Sequence, residues 1–540
     1  MAKGYRPVQR DQQFLLPPDM RDWLPAGHPV WLVIEVVSGH LDTTAVHATR
    51  RAGGAGAAGY DPDMLTALLV WAYANRVTSS RRIEALCRTD IAFKVVCAGD
   101  VPDHVTIARF RAGLGAAAAA LFREVLALCA RLGMGQLGLV ALDGMKIAAS
   151  ASAKANRTEQ KLRELAEQVA ARHAATDAAE DDLFGPGVRG DEVPADVADP
   201  RTRRERIAAA LADLQAEREA AAAARQEQAS SYLAKVQAGQ SVRGHRPAEA
   251  DVAAAQIRLA QAIAAQQAKV EDYQRRQAAK IAATGTGLRE RPPAPGAGKQ
   301  IQQAAAVLER ARQRAAAAER KAAERERTRK GPGPVRNTTD PHSRLMPTRS
   351  GFLQGYNTQN VTSADGLIIA TELTASPVDT PWLQPMMTAA RDAAALITAC
   401  HPGGGGGGQI GLFLADAGYL SEHNLTTPGP DRLIATGKNR GLRHTAASPR
   451  RSGGTARGTA ALAMAARLTT DAAIQAYRHR GHIAETPHGH IKHNMGFRQL
   501  SVRGMPRATA EWNLTCTVHN LFKAITSGHL TRAALAAQPG

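Results

Sequence analysis

Three acidic residues have the types and positions needed for metal-dependent chemistry. Asp143 follows the short apolar run LGLVAL, and Asp416 follows a second apolar run in QIGLFLAD. Glu485 lies in a C-terminal segment whose apolar spacing predicts helix. Carboxylates are the ligands that Mg²⁺ prefers, and two ions about 3.5–4 Å apart can activate an attacking oxygen and stabilise a leaving one. The three residues therefore predict a two-metal site for phosphoryl transfer.

Each of these carboxylates also has a simpler interpretation. An Asp that follows a strand is often a turn residue or a helix cap. Two further acidic residues, Asp340 and Asp379, each neighbour a proline, and a turn or cap role is predicted for both. The metal-site interpretation of the other three depends on their order along one strongly basic chain.

The stretch YRHRGHIAETPHGHIK, residues 477–492, surrounds Glu485 with four histidines and suggests zinc as an alternative. A zinc site needs three or four ligands that converge tetrahedrally. His488 and His490 are two residues apart, so on a helix they would point about 200° from each other, and no cysteine is nearby. We therefore interpret the histidines as basic surface residues or residues that face DNA.

Basic residues flank Glu485 on both sides. Lys492 lies seven residues after Glu485, so two turns of regular helix would return it to the same face, about 10.5 Å along the axis. There it can contact a backbone phosphate while the carboxylate binds metal, and Arg480 can do so from the other side. A solvated basic face is the alternative. Pro487 has no amide hydrogen, so the helix is predicted to bend or a new turn to begin just after Glu485.

The charge of the whole chain favours a polyanionic partner. Of the 540 residues, 68 are Lys or Arg and 49 are Asp or Glu, which gives a formal net charge of +19. Phosphate contacts release condensed counterions, so nucleic acid is the favoured partner, with a ribosomal or membrane-surface protein as the alternative. Lys438 and Arg440, just after a predicted strand, are candidate DNA contacts.

The cysteines and the apolar runs bear on location. None of the five cysteines forms a C-x-x-C pair, which is typical of reduced, buried thiols in a cytoplasmic protein. The first residues, MAKGYRPVQRDQQF, contain no apolar signal segment, and no stretch approaches the roughly 20 apolar residues that span a bilayer. We expect a cytoplasmic, nucleoid-associated protein with no membrane partner.

The elements that must position the carboxylates fall into four predicted segments. Residues 1–135 predict a helical, DNA-binding domain, although a plain packed bundle fits the same pattern. Residues 136–154 contain the first strand of a catalytic core, and residues 336–530 its remainder. Between them, residues 155–335 predict a helical or coiled, partly flexible insertion. The order of strands and helices in the core predicts an α+β (mixed α/β) fold with a mixed sheet.

The core elements are predicted from apolar runs and turn residues. LGLVAL predicts a strand that ends at Asp143, and QIGLFLAD predicts a strand that ends at Asp416. FLQGYNTQNVTSA and GLIIATELTASP predict two strands with a turn at Ala364–Asp365–Gly366. TPWLQPMMTAARDAAALITAC predicts a helix.

Several motifs, taken in their order along the chain, resemble one family. They are YRPVQRDQQFLLP, VPDHVTIARFR, ALDGMKI, TDPHSRLM, QGYNTQN, LADAGYLSE, the stretch 477–492 and EWNLTCTVHNLFKAI. The chain resembles the DDE transposases of bacterial insertion sequences, in the group with the Tyr-Arg-Glu-Lys signature and the branch numbered eleven eighty-two. The resemblance covers almost all of the chain except the insertion.

This resemblance implies a ribonuclease-H-like catalytic core and roles for individual residues. It implies a catalytic triad that holds Mg²⁺ or Mn²⁺, as two ions, formed by Asp143, Asp416 and Glu485. It also implies that the remaining signature residues are Tyr477, Arg480 and Lys492, which would contact DNA. The sequence departs from the family in two places. Four residues, 481–484, separate the signature arginine Arg480 from Glu485, whereas three separate them in much of the family. His488 stands where related sequences usually have an aromatic residue.

The function expected from these observations is transposition. The protein would bind the terminal inverted repeats of its element, cleave there with a metal-activated water, and join the freed 3′-hydroxyl to target DNA. Holding two ends together requires a homodimer or a larger synaptic complex. The alternatives are a non-catalytic DNA-binding regulator derived from a transposase, a metal-dependent nuclease without strand transfer, and a structural coiled-coil protein built on residues 155–335.

Overall fold

The computed structural model divides the chain into two compact units. The first comprises Met1–Asn156 and Asn337–Gly540, and the second Arg157–Arg336. The residues that the structure describes are 19–49, 59–168, 203–240, 246–294, 298–327, 334–348, 350–402, 409–437 and 458–538. The candidate DNA contacts Lys438 and Arg440 lie outside the described residues.

Helices form the described part of the chain before the sheet. They are α1 (Pro29–Gly39), α2 (Thr44–His47), α3 (Pro62–Ala74), α4 (Ser80–Thr89), α5 (Ile91–Val96), α6 (His104–Gly113) and α7 (Ala117–Arg131). The side chain of Asp103 accepts hydrogen bonds from the backbone N–H groups of Val105 and Thr106, which fixes the start of α6. The apolar faces of these helices pack in the same core cluster as the sheet.

A six-stranded mixed sheet lies at the centre of the first unit. The strands in the described ranges are β1 (Leu139–Ala148), β2 (Asn156–Thr158), β3 (Val335–Asn337), β4 (Arg344–Thr348), β5 (Gly351–Ser363), β6 (Ile368–Thr374), β7 (Leu412–Ala415) and β8 (Arg432–Ile434). The order in the large sheet is β4-β5-β1-β7-β8, and β6 also pairs with β5, while β2 and β3 form a separate pair. The predicted mixed α and β fold is confirmed.

The strands next to β1 run in opposite directions on its two sides. β5 is antiparallel to β1 and to β6, and the hairpin between β5 and β6 turns at Ala364–Asp365–Gly366, as predicted. Gly366 has a φ of +88°, a conformation that favours glycine. β7 is parallel to β1, and β8 is parallel to β7. A parallel neighbour puts the carboxyl end of β7 beside the middle of β1.

Long helices make up most of the described part of the second unit. They are α8 (Arg203–Gln237), α9 (Ala248–Thr284) and α10 (Lys299–Arg327). Small apolar clusters hold them together; one of these joins Ala255 of α9 to Leu308 and Ala311 of α10. Arg336 forms ion pairs with Asp213 and Glu217 of α8.

The described helices after β6 are α11 (Leu383–Cys400), α12 (Glu422–Thr426), α13 (Thr459–Arg467), α14 (Asp471–Gly489), α15 (Met505–Thr526) and α16 (Arg532–Ala536). Helix α14 runs through Pro487, so no new turn begins just after Glu485, which was one of the two predicted outcomes. Pro487 is buried, and its packing keeps it in the helix although it lacks one backbone hydrogen bond. A π-helical turn, His490–Asn494, follows directly. Lys492 therefore lies in this wider turn, and the predicted two-turn return to the face of Glu485 does not apply.

The apolar helices and the cysteines bear on the expected location of the protein. Within the described ranges, no single helix is long and apolar enough to cross a membrane, although α6 and α7, which meet at 79°, would pass that test together by length and composition. All five cysteines are free, and each is buried except the half-buried Cys400, as the sequence predicts.

Candidate active site

Asp143 and Asp416 occupy equivalent positions on two parallel strands. The pairing of β1 with β7 ends at Leu142 and Ala415, and each aspartate is the residue that directly follows one of these two. β7 ends there, as predicted. β1 continues, so the prediction that the strand ends at Asp143 is wrong; on its other side Asp143 pairs with Asn360 of β5. The parallel register therefore places the two aspartates side by side where β7 ends.

Asp416 is held by the turn that follows it. Its side chain accepts a hydrogen bond from the backbone N–H of Gly418 at 2.8 Å and caps the 3₁₀ turn Ala417–Tyr419. The carboxylate is thus both a cap, which is the simpler interpretation of such an Asp, and a neighbour of Asp143. The two roles are compatible, because a carboxylate can accept several hydrogen bonds or metal bonds at once.

The Asp143 carboxylate lies in a largely desolvated position. Its side chain is 18% exposed. The pKa of Asp143 is raised to about 6, chiefly by burial; the positive charge of Arg480 opposes this shift, and the negative charges of Asp416 and Glu485 add to it. A buried carboxylate with two acidic neighbours favours a cation beside it.

Arg480 of α14 connects the sheet to Glu485. Its Nη1 lies 3.9 Å from Asp143 Oδ1, and its Nη2 lies 3.8 Å from Glu485 Oε1. Both distances are longer than hydrogen bonds, and the buried Nη1 has no hydrogen-bond partner. The structure therefore brings Arg480, Asp143 and Glu485 together, with the guanidinium shared loosely between the two carboxylates.

The other signature residues lie on the same helix or just after it. The hydroxyl of Tyr477 donates to the carbonyl of Ala415 at 2.9 Å, which ties α14 to the residue before Asp416. Burial raises the pKa of Tyr477 to about 12, so the phenol keeps its proton. Lys492 is half-buried, and burial lowers its pKa. Its charge acts on the buried ring of His488.

Asp379 belongs to this region, although the sequence predicted a turn or cap role for it. Its side chain makes no cap hydrogen bond. Instead, Oδ1 accepts from Asn357 Nδ2 at 2.7 Å, from Gln359 Nε2 at 2.8 Å and from Lys146 Nζ at 3.4 Å. A Cβ atom on Gly144 would lie 2.7 Å from that oxygen, so the residue after Asp143 must be small. The available signal was the pair of amides in the predicted strand QGYNTQN.

Asp379 also approaches Asp416. A Cβ atom on Gly418 would lie 2.9 Å from Asp416 Oδ1 and 3.5 Å from Asp379 Oδ2. A fourth carboxylate therefore borders the site, with Lys146 as its cationic partner. By contrast, Asp340 is buried away from solvent and accepts hydrogen bonds from Tyr356 and Gly504.

The histidines of residues 477–492 divide into two groups. His479 and His482 are exposed, as predicted. The prediction is wrong for His488, which is 8% exposed and contacts Asn360 and Asp143. His490 is half-buried against His519, with 3.0 Å between their Nδ1 atoms. In the described part of this stretch, no three side chains form the converging ligand set that zinc requires.

The donor set of the site fits a hard divalent cation. Asp143, Asp416 and Glu485 offer carboxylate oxygens, which Mg²⁺ and Mn²⁺ prefer. Among the described residues, the group whose ligand atoms all lie within 4.8 Å of one another is a different one, formed by His47, Asp61 and Asp63. A two-metal site spreads its ligands over two ions about 3.5–4 Å apart, so it does not need that closeness. Glu485, whose side chain is 69% exposed, has the room to turn inward.

Two segments of the chain match family models. Residues 18–113 match the family described as Transposase domain (DUF772), and residues 448–525 match the one described as Transposase DDE domain. These matches support a DDE transposase of the insertion-sequence type. The second matched segment of this DDE transposase candidate contains Glu485, whereas Asp143 and Asp416 lie in neither segment. Comparisons with curated proteins and with solved structures found no match.

Proposed function

We propose that the protein is a transposase that binds the terminal inverted repeats of its element, cleaves the DNA ends and joins them to target DNA by metal-dependent phosphoryl transfer. One observation carries the proposal. The parallel register of β1 and β7 sets Asp143 beside Asp416, and Arg480 links Asp143 to Glu485 in the segment that matches the transposase DDE domain. The strand pairing supports a ribonuclease-H-like core: antiparallel pairs join β4, β5, β6 and β1, and β7 and β8 continue the sheet in parallel with β1.

The proposed metal ligands are Asp143, Asp416 and Glu485, and Mg²⁺ or Mn²⁺, as two ions, would supply Lewis-acid activation of water and of the scissile phosphate when bound. The protein's own contribution is position. The sheet holds the two aspartates in register, and the desolvated setting of Asp143 strengthens its attraction for a cation. Glu485 closes the ligand set from the helix.

The basic residues of α14 and its π turn are proposed to bind the DNA backbone. Arg480 lies beside Asp143 and Glu485, and its contacts with them are longer than hydrogen bonds, so we propose that its guanidinium turns to a phosphate next to the two carboxylates. Lys492 is the second proposed phosphate contact. Tyr477 is proposed to act through position, because its hydroxyl is engaged by Ala415.

A basic groove on the N-terminal helices supports DNA as the partner. The groove has a volume of about 820 Å³ and lies between α4, α6 and the start of α15. Of the described residues that line it, five are basic and none is acidic; the basic ones are Arg81, His104, Arg109, Arg111 and Arg507. Arg111 is engaged within the fold by Thr78 and Ser80, which leaves the exposed Arg81 and Arg109 for phosphates.

The decisive experiment for the function is end cleavage. A duplex that carries the element's terminal inverted repeat is incubated with the protein and Mg²⁺ or Mn²⁺. Wild type is expected to free a 3′-hydroxyl at the repeat end, and Asp143→Asn, Asp416→Asn and Glu485→Gln to lose this activity. Asp392→Asn, an exposed carboxylate on α11, is the matched control. If the wild type binds the ends and never cuts, the regulator is the better account; if the three variants cut normally, the metal site is elsewhere.

The groove has its own test. Arg81→Ala and Arg109→Ala are each expected to weaken binding of any duplex and to reduce the slope of log affinity against log salt by about 1 per lost phosphate contact. Arg82→Ala, an exposed arginine on the same helix that does not line the groove, is the control. Equal salt slopes in all three variants would exclude the groove as the DNA contact. Two bound ends would require the proposed homodimer, which sedimentation of the DNA complex measures.

A further inference from the structure

His488 is a buried side chain beside Asp143 that the proposed reaction does not use. It lies on α14 and contacts residues of β5 and β1. Its Nε2 lies 3.1 Å from Asn360 Nδ2, and its Nδ1 lies 3.9 Å from Asp143 Oδ2. Which ring nitrogen carries the proton decides what His488 does to Asp143. A hydrogen on Nδ1 would face the carboxylate as a donor, whereas a bare Nδ1 would face it as a lone pair.

A chain of hydrogen bonds determines that choice. The indole N–H of the buried Trp512 can only donate, and it donates to Thr371 Oγ1 at 2.7 Å. The hydroxyl hydrogen of Thr371 is therefore free to point the other way, where the amide of Asn360 lies 2.5 Å from the hydroxyl oxygen. Two described groups lie where they could accept that hydrogen, Asn360 Oδ1 and, at 3.6 Å, Cys516 Sγ; the nearer amide oxygen takes it, because a thiol sulfur is a weak acceptor. The amide oxygen thus faces Thr371, and the NH₂ group faces His488.

The direction of the chain fixes the histidine. Because Asn360 Nδ2 has only hydrogens to offer, Nε2 of His488 accepts. A neutral ring that accepts at Nε2 carries its hydrogen on Nδ1. The Nδ1 hydrogen is therefore directed at Asp143.

The two oxygens of Asp143 have different neighbours. Oδ1 accepts from the backbone N–H of Gly144 at 3.0 Å and is the oxygen nearest Arg480. Oδ2 is the oxygen that His488 faces. At 3.9 Å this is a charge–dipole contact, and a small turn of the carboxylate closes it to a hydrogen bond. Such a donor would orient the carboxylate and leave Oδ1 toward the position of the cation.

We propose that His488, fixed as its Nδ1–H tautomer by the chain Trp512–Thr371–Asn360, is a positioning residue that orients the Asp143 carboxylate for metal binding. The part that concerns metal rests on the proposed function; the part that concerns the tautomer does not. The competing arrangement has the Asn360 amide reversed and the hydrogen on Nε2, which would make His488 itself a candidate metal ligand.

The tautomer is measured on the metal-free protein by ¹⁵N–¹H correlation spectra of the imidazoles. There are 17 histidines, and the His488 signals are those lost in His488→Phe. The Nδ1–H tautomer is expected, and an Nε2–H ring would overturn the proposal. Asn360→Asp places a carboxylate oxygen opposite Nε2 and should bring a proton there. If that ring keeps its proton on Nδ1 alone, Asn360 does not set the tautomer.

Mn²⁺ affinity, measured by calorimetry without DNA, tests the positioning role. His488→Phe keeps a ring without an N–H, and Mn²⁺ binding should weaken about 10- to 100-fold, as when an outer-shell partner is removed. His488→Asn carries an amide N–H in the place of Nδ1–H and should restore most of that loss, whereas a purely structural role predicts no rescue. Thermal unfolding shows whether the two His488 variants fold. If they do not, the tautomer measured in Asn360→Asp still tests the proposal.

The two proposals fail separately. A protein that shows the Nδ1–H tautomer and loses Mn²⁺ affinity on His488→Phe, but never cuts DNA in its wild-type form, would contradict the transposase function alone. A wild type that cuts repeat ends and carries its hydrogen on Nε2 would contradict the positioning role alone.

Discussion

The two sides of the candidate site are built differently. On the sheet side, Asp143 and Asp416 follow paired positions of parallel strands, and Asp143 is 18% exposed. On the helix side, Glu485 is 69% exposed, and Arg480 is the neighbour that connects it to the sheet. The sheet side is therefore fixed by backbone pairing, while the helix side is held by side chains that can turn.

This difference teaches that one site can have a rigid half and an adjustable half. A carboxylate fixed in a desolvated position is costly to ionise, and that cost is recovered when a cation binds. A carboxylate on an exposed helix face costs little and can move to its ligand. Substitutions on the two sides should therefore have similar effects on catalysis and different effects on stability.

The largest expected effect is the same on both sides. Asp143→Asn, Asp416→Asn and Glu485→Gln should each lower the rate of end cleavage by at least ~10³-fold, because each removes a metal ligand. For comparison, the loss of a single hydrogen-bond donor from an oxyanion hole costs an enzyme about 10²–10³-fold in rate. Single-turnover cleavage of a repeat-end duplex measures it. A Glu485→Gln rate within ~10-fold of wild type would show that the helix side is dispensable.

Asp143→Asn should also stabilise the metal-free protein. The folded-state pKa of Asp143 is about 6, and the unfolded value is about 3.9. Between these values the folded state binds the proton more tightly, so stability falls as pH rises from 4 to 6. Asn lacks this loss, and at pH 8 in EDTA the variant should gain about 2–3 kcal/mol. Urea unfolding at pH 8 and pH 3.5 measures it; a gain that persists undiminished at pH 3.5 would contradict the burial argument.

Tyr477→Phe should have a smaller effect on the connection between the two sides. It removes the hydrogen bond from the phenol to the Ala415 carbonyl, which keeps the N–H of Ala435 as a partner. The expected loss of stability is about 1 kcal/mol, with no pH dependence between 5 and 8. Urea midpoints for wild type and variant give the value. An unchanged midpoint would mean that the phenol does not hold α14 against β7.

The smallest effect should come from Glu485→Gln on stability. Because the side chain is mostly exposed, its free energy of unfolding without metal should stay within ~0.5 kcal/mol of wild type from pH 4 to pH 8. The same urea series measures it, with Asp143→Asn as the contrasting variant. A change as large as that of Asp143→Asn would place Glu485 in the rigid half.

Local patterns predicted the parts of the fold that local forces decide. The hairpin at Ala364–Asp365–Gly366, the strand before Asp416 and the helix α11 follow from period and turn chemistry. The extension of β1 past Asp143 had a signal too, since Met145 and Ile147 alternate with polar residues and are buried.

Long-range contacts decided the rest. The sequence predicts a turn or cap role for Asp379, and the residue does begin a 3₁₀ turn, but the hydrogen-bond partners of its side chain lie on β1 and β5. The sequence predicts a bend or a new turn at Pro487, yet this residue is buried inside the continuous helix α14. His488 reads as a basic surface residue, yet Asn360, 128 positions earlier, determines its role. Spacing along a chain does not contain these pairings.

The central claim is that Asp143, Asp416 and Glu485 hold the same divalent metal centre. Fe²⁺ bound in place of Mg²⁺, with ascorbate and peroxide, generates hydroxyl radicals that cut the polypeptide beside the ion. The account predicts three cuts in one sample, within β1 near Asp143, after β7 near Asp416 and in α14 near Glu485, all suppressed by excess Mg²⁺. Cuts near His47, Asp61 and Asp63, with none at the triad, would contradict it.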